Sequence, residues 1–378
     1  MSSVTTRRGS GISFRTKVSP MKVNDDNGHR RRSWRVVGAA LAAVVLFCGA
    51  LTGCGKGGGK SVSEGEGGMQ KLTIGMSVND VVFASVYVAD ELGFFEKEGL
   101  EVDLRPFKGG SALQAAFASG DIEVAGIGAS SAIRANAAVN QDIKFIMSFQ
   151  AGVPYDVIVS KRIKSWQDLK GKAIAITKPG SQTELITRAL LEQNGLDPDK
   201  DVTMISTGGD AEQTAALKTG SADATVVSAA SKHLIKVADG RLLQASEDIT
   251  VPMQTNGLGV TQDILDEHPD VAKKTVRALM RAAAAMHDPE QEKAVKDAFE
   301  KGLGESDPKT QQEWWDYVSS DPERIFPVAG DIDKDGVANV LKLVEETEPK
   351  AADLSPHDVV DDSIIRGEAK LARSLEKK

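Results

Sequence analysis

The 378-residue chain carries 46 Lys and Arg against 54 Asp and Glu, for a net charge of −8. Residues 1–53 alone contribute +7, so the remainder carries −15, and so acidic a body disfavours nucleic acid as a partner. The length leaves room for two domains of ordinary size.

At the N-terminus, the cationic stretch 30–35 precedes a 16-residue apolar run, 36–51, and then Thr52-Gly53-Cys54. A basic head, a short apolar core and a small-residue end describe an export signal, and the run is shorter than the ~20 residues a spanning helix needs. Leu51-Thr52-Gly53-Cys54 resembles the bacterial lipobox, in which the Cys is diacylated and becomes the new N-terminus. Two acyl chains are the number stable anchoring needs. On this reading 1–53 is a signal peptide, Cys54 is the lipidation site, and the glycine-rich segment 54–69 is a flexible tether. An uncleaved anchor is the alternative, and Met21 offers a second start. The other cysteine, Cys48, lies inside the signal, so the mature chain forms no internal disulfide.

From 71 to 132 the pattern reads strand, helix, strand, helix, strand, helix. Residues 71–77 (KLTIGMS) alternate apolar and polar side chains, as a strand with one buried face does. A polar turn at Asn79 and Asp80 leads into Phe83, Val86, Tyr87, Asp90 and Leu92 near helical spacing, stopped by Gly93. Strand 101–106 precedes Gly109-Gly110-Ser111, which opens a helix over 112–118, and strand 123–128 runs into Ala129, Ser130 and Ser131 at the head of another helix. Helix starts carry unpaired N–H groups and partial positive charge, and in open α/β sheets ligands collect at the carboxyl ends of strands. The starts at Ser111 and Ser130 are therefore expected to face one crevice suited to a small anionic or polar molecule. As ordinary N-caps they would serve the helices alone.

Residues 143–150 and 157–160 read as strands leading out of a first lobe, and 173–177 as the first strand of a second. Ser181, with Glu184 three positions on, has the capping-box pattern and heads a helix over 183–193 that stops at Gly195. Strand 202–205, a helix over 211–219 opened by Gly208-Gly209-Asp210, and strand 222–227 ending at Ser228 repeat the plan of the first lobe. Such alternation implies a parallel sheet flanked by helices. The segment 253–260 reads as a return strand into the first lobe, so the chain crosses twice and forms a hinge. Helices follow at 271–286, 291–301, 309–319, 334–345 and 364–375, all expected to pack on the first lobe.

The run 87–102 (YVADELGFFEKEGLEV) resembles the opening of the substrate-binding proteins of ABC importers in the nitrate, sulfonate and taurine group, which also holds binders of thiamine-precursor pyrimidines and aromatic acids. Gly110-Ser111, 119–123 (SGDIE), 169–172 (LKGK) and 221–224 (SADA) fall at the spacing of that group, and the likeness extends from about 71 to the C-terminus. The resemblance implies an α/β, two-lobed periplasmic-binding-protein fold of type II. Lobe 1 is expected over 70–160 plus 254–378 and lobe 2 over 161–253. It further implies an exported, lipid-anchored, monomeric receptor that delivers a small organic anion, a sulfonate or carboxylate, to an ABC permease and its ATPase. A thiamine-precursor pyrimidine or nitrate is the alternative ligand, and an enzyme of the same fold, a pyrimidine synthase or a menaquinone-pathway enzyme, is the alternative class.

The ligand-binding candidates are Asn79, Asp80, Phe83, Gly110, Ser111, Ser130, Ser131, Ser181, Gln182, Thr183, Asp210 and Ser228, with Phe149 and Tyr155 as apolar walls and Lys178 and Arg134 as candidate cations. Binding is favoured over catalysis, since no nucleophile, His and acid set stands in a nucleophile-elbow context and the mature chain lacks a cysteine-rich metal motif. No cofactor and no metal are expected. Asp331, Asp333, Asp335 and Gly336 match the head of an EF-hand loop, but its twelfth position is Lys342 in place of a bidentate Glu. The five His residues are scattered without metal-ligand spacing. Trp314-Trp315 with Tyr317 reads either as a ligand platform or as core.

Overall fold

The computed structural model describes residues 62–139, 141–150 and 152–377. The expected signal peptide, Cys54 and the tether as far as 61 lie outside the described residues. The end of the tether is structured: Val62–Glu64 forms β1, which pairs antiparallel with Gln70–Met76, β2.

The first sheet is built from β1, β2, β3 (Leu100–Pro106), β4 (Val124–Gly128), β5 (Ile143–Ser148) and β11 (Asn256–Thr261). β2 pairs in parallel with β3 and β4, while β11 enters antiparallel between β4 and β5. Alternation in β2 buries Leu72, Ile74 and Met76, and β4, covered on both faces, is buried throughout. Gly126 in β4 lies so close to Phe83 that an added Cβ would stand 2.6 Å from its ring.

The second sheet has the order β10-β6-β9-β7-β8, with β6 Tyr155–Ser160, β7 Lys172–Ile176, β8 Val202–Ser206, β9 Ala224–Ser228 and β10 Gly240–Gln244. β7 runs parallel to β8 and β9; β6 is antiparallel to β9 and β10. Two sequence expectations change here. The strand at 157–160, assigned above to lobe 1, belongs to the second sheet, so sheet membership changes between Ser148 and Tyr155. β10 was not foreseen: its glycine and arginine start gives little alternation. An apolar run reads alike in either sheet, and only its neighbours decide which one it joins.

Eight helices position the site or its support: α1 Ala84–Glu91, α2 Gly110–Ser119, α3 Ala129–Val139, α4 Gln182–Gln193, α5 Asp210–Thr219, α6 Pro269–Met286, α7 Pro308–Val318 and α8 Lys334–Glu345. α6 buries Val271, Val276, Leu279, Met280 and Met286 along one stripe and packs on α1. Full burial of each such side chain contributes about 1.5–3 kcal/mol. α8 departs from the expectation that the C-terminal helices serve the first sheet alone, because it packs on both α3 and α4. One hydrophobic cluster accordingly joins Ile127, Ile133 and Phe145 to Val157, Ile174, Leu185 and Val340, linking the two halves through their cores. A second large cluster, with Phe83, Phe149 and Phe326, fills the other face of the first sheet.

Candidate functional site

A cavity of about 390 Å³ lies where the carboxyl ends of parallel strands from both sheets meet. Ser77 follows β2, Gly109 and Gly110 follow β3, Gly128 ends β4, Thr177 and Lys178 follow β7, Gly209 follows β8, and Ser228 ends β9. The antiparallel β6 and β11 contribute their first residues, Tyr155 and Asn256. A wider depression of about 970 Å³, lined by Leu92, Phe94, Arg281 and His287 among others, takes no residue from any strand.

On the first-sheet side, Asp80 caps the short 3-10 helix Val81–Phe83, its Oδ1 accepting from the Val82 N–H at 3.1 Å. Asn79 is pinned by Tyr87, whose hydroxyl donates to its Oδ1 at 2.6 Å, and by its own Nδ2–H donating to the Leu303 carbonyl at 3.3 Å. Phe83 meets Phe149 edge to face, with ring centroids 6.2 Å apart. Gly110 starts α2, where an added Cβ would stand 2.3 Å from Ser131 Oγ, so only backbone can occupy that point.

On the second-sheet side, Ser181 Oγ accepts from the Glu184 N–H at 3.3 Å, while Glu184 Oε2 accepts from the Gly180 N–H at 2.5 Å, one residue ahead of the pairing a strict capping box makes. Thr183 Oγ1 accepts from the Thr177 N–H at 2.9 Å and ties the start of α4 to the end of β7. Asp210, the first residue of α5, accepts the Ser228 N–H on Oδ2 at 3.0 Å. Several contacts join the halves. Ser130 Oγ donates to Gln182 Oε1 at 2.8 Å, His233 Nδ1 lies 2.8 Å from Glu313 of α7, and the Lys178 ammonium stands at Gly109, where an added Cβ would meet it at 2.9 Å.

The electrostatics of the cavity are dominated by two half-buried carboxyls, one from each half. Burial pushes Asp80 up to about 6, against the pull of the Val82 N–H. Burial first, and the charge of Asp80 second, push Asp210 up to about 7, against hydrogen bonds from the Ser228 N–H and the Ser231 hydroxyl. Burial also raises the Tyr155 phenol, opposed by the Asn256 amide beside it.

Ten of the twelve sequence candidates line this cavity: Asn79, Asp80, Phe83, Gly110, Ser131, Ser181, Gln182, Thr183, Asp210 and Ser228. Ser111 is exposed outside it, and Ser130 lies wholly buried behind Gln182. Tyr155 and Lys178 line it; Phe149 and Arg134 do not, Phe149 being core and Arg134 lying against Gly180. The tryptophan pair divides. Trp314 lines the cavity and packs on Phe299 at 5.7 Å, whereas Trp315 is buried core. Sequence reasoning missed Asn256, Glu212, Glu305 and His233. Asn256, the polar first residue of a return strand, carried a usable signal. Glu305 and His233 had none, because they reach the cavity through the packing of α7 and of the segment after β9.

A family model described as NMT1/THI5 like matches residues 80–292, more than half of the chain and most of the cavity wall. The chain belongs to that family. This NMT1/THI5-like protein is similar to YtlA of Bacillus subtilis (strain 168), with 23% identity over 282 residues, 73% of this chain and 80% of that one. It is 29% identical to the taurine-binding periplasmic protein of Escherichia coli (strain K12) over 206 residues, 53% of this chain and 61% of that one, so the likeness spans under two thirds of that relative. The crystal structure of the periplasmic nitrate-binding protein NrtA from Synechocystis PCC 6803 matches with a TM-score of 0.62 at 15% identity, covering 80% of this chain and 88% of that one. The fold of this NMT1/THI5-like protein is thus the α/β periplasmic-binding-protein fold, as the sequence led us to expect.

Proposed function

We propose that this protein is the extracytoplasmic solute receptor of an ABC importer, capturing a small organic solute with a sulfonate or carboxylate group and passing it to a permease. The two lobes are the halves built on the first sheet and on the second, with the crossings before β6 and before β11 as the hinge. Cys54, carrying lipid, tethers a monomer to the outer face of the membrane. The observation that supports the reading above all others is a cavity lined by helix starts of both halves, α2 at Gly110 and α4 at Gln182, with the Lys178 ammonium beside Gly109. A solute held there gains contacts to both halves only in the closed form, and that differential affinity shifts the population toward closure. A relative named for binding taurine, an amino-sulfonate, supports the class of solute.

The test is a thermal-shift and calorimetric screen of the purified full chain against alkanesulfonates, taurine, nitrate, aromatic acids and thiamine-precursor pyrimidines. A receptor shows saturable one-to-one binding, recovery of the solute unchanged, and stabilisation of about 2.7 kcal/mol at a hundredfold excess over Kd. Chemical conversion of the solute, or silence toward the whole screen, sinks the proposal.

A further inference from the structure

We infer that the cleft selects a solute bearing a protonated amine, and that Asp80 and Asp210, one from each half, form the seat of that amine. The inference rests on the receptor reading and concerns the same cavity.

Two carboxyls approach one small cavity from opposite sheets, and each has only part of its acceptor capacity used by the protein. Asp80 takes the Val82 N–H on Oδ1; Asp210 takes the Ser228 N–H on Oδ2 and the Ser231 hydroxyl. Among the described residues no Lys, Arg or His forms an ion pair with either. The two basic side chains of the cavity wall are placed elsewhere: His233 is held by Glu313, and the Lys178 ammonium lies at Gly109. Glu212 and Glu305 add further negative charge to the wall. Like charges facing each other out of bulk water are unfavourable, and a cation between them turns repulsion into attraction on both sides.

A second observation comes from Asn256, which lines the same cavity and is 3% exposed. Its Nδ2 makes no close hydrogen bond among the described residues, and the Tyr155 phenol is the group beside it. An amide nitrogen carries two protons, so even with the Tyr155 phenol beside it at least one is left for a further acceptor, and a buried donor left unmade is costly. Acceptors waiting at Asp80 and Asp210, a donor waiting at Asn256, and a cation at Lys178 are together complementary to an amino-sulfonate or amino-carboxylate. They are a poor match for nitrate or for an alkanesulfonate without nitrogen. Sites that hydrogen-bond a polar substituent reject the analogue lacking it strongly, since their own groups are then stranded.

The test uses pairs of solutes that differ only in the amine: 2-aminoethanesulfonate against ethanesulfonate, and 4-aminobutanoate against butanoate, titrated calorimetrically into the full chain at neutral pH. At least one amine is expected to bind about 100-fold tighter than its partner. Asp80→Asn and Asp210→Asn each bring that ratio below about ten, with melting of the solute-free variants showing that they fold. Near pH 6, the amine is also expected to release protons on binding, read from titrations in buffers of different ionisation enthalpy. A cleft that takes the deaminated members as tightly as the amines keeps the receptor reading and loses the amine seat. Preference unchanged in both variants also overturns the seat. No binding by any member overturns the inference, and the wider screen then decides separately whether the receptor reading falls with it.

Discussion

Helices α2 and α5 are built to one plan a hundred residues apart, over Gly110–Ser119 and Asp210–Thr219. Each ends on a left-handed glycine, Gly120 at φ 75° and Gly220 at φ 78°, and each is followed by a buried strand, Val124–Gly128 or Ala224–Ser228. Their first helical residues differ. At Gly110 the wall is so close to Ser131 that no side chain fits, so this start offers backbone alone; at Asp210 a carboxylate enters the cavity and is fastened to the Ser228 N–H. A repeated backbone thus yields one helix start that offers only backbone donors and another that adds a carboxylate acceptor.

Making the two starts alike is the severest way to break this comparison. Gly110→Asp places a second carboxylate where no side chain fits, and we expect loss of solute binding of more than ~1,000-fold, read by calorimetry, since both packing and charge are wrong. Retained affinity would show that the α2 start does not face the solute. Steric cost is isolated by Gly110→Ala, expected to destabilise by about 1–3 kcal/mol in urea unfolding; a neutral result would show that the Ser131 side chain turns aside.

The cavity's two carboxyls, Asp210 at the α5 start and Asp80 on the opposite wall, are probed by pH. Asp80 and Asp210 have folded-state values of about 6 and about 7, above the ordinary 3.8, so the folded chain holds more protons than the unfolded one between about pH 4 and pH 7. Their contribution therefore favours folding below about pH 4 and is lost as pH rises through 6 and 7, with a slope of at most about 1.4 kcal/mol per pH unit for each proton. Glu212 and the Tyr155 phenol face the same region, and the Ser228 and Ser231 hydrogen bonds temper the shift. In the solute-free chain, Asp210→Asn is expected to flatten this slope and to raise the melting temperature at pH 8. An unaltered pH profile would mean that the carboxyl is already fully charged in the folded state.

The smallest effects sharpen the likeness. Gly120→Ala and Gly220→Ala each put a methyl group at positive φ, at Gly220 in open space. Each is expected to cost about 1–2 kcal/mol, and the two costs to agree within about 0.5 kcal/mol in paired urea melts. A large disparity would mean that the two helix ends are held differently.

Most elements were legible in the sequence. The strand expected at 71–77 is Gln70–Met76, the helix at 211–219 is Asp210–Thr219, and the return strand at 253–260 is Asn256–Thr261. The cavity wall was legible to within one residue. Gly110 and Ser131 face it, whereas their neighbours Ser111 and Ser130 do not. One step along a helix turns a side chain by about 100°, and the phase is set by what the helix packs on, not by its composition. His233 and Glu305 gave no warning because their neighbours in space come from distant parts of the chain.

What the sequence determined by itself is local. Periodicity, glycine stops and N-caps follow from the steric and hydrogen-bonding needs of each short segment, and they specified repeated strand–helix units before any contact was known. Tertiary structure alone decided that Tyr155–Ser160 joins the second sheet, that α8 bridges both halves, and that Asp80 and Asp210, 130 residues apart in the chain, share one cavity. Coulomb interaction and desolvation depend on distance through space and on the surrounding medium, and separation along the chain encodes neither.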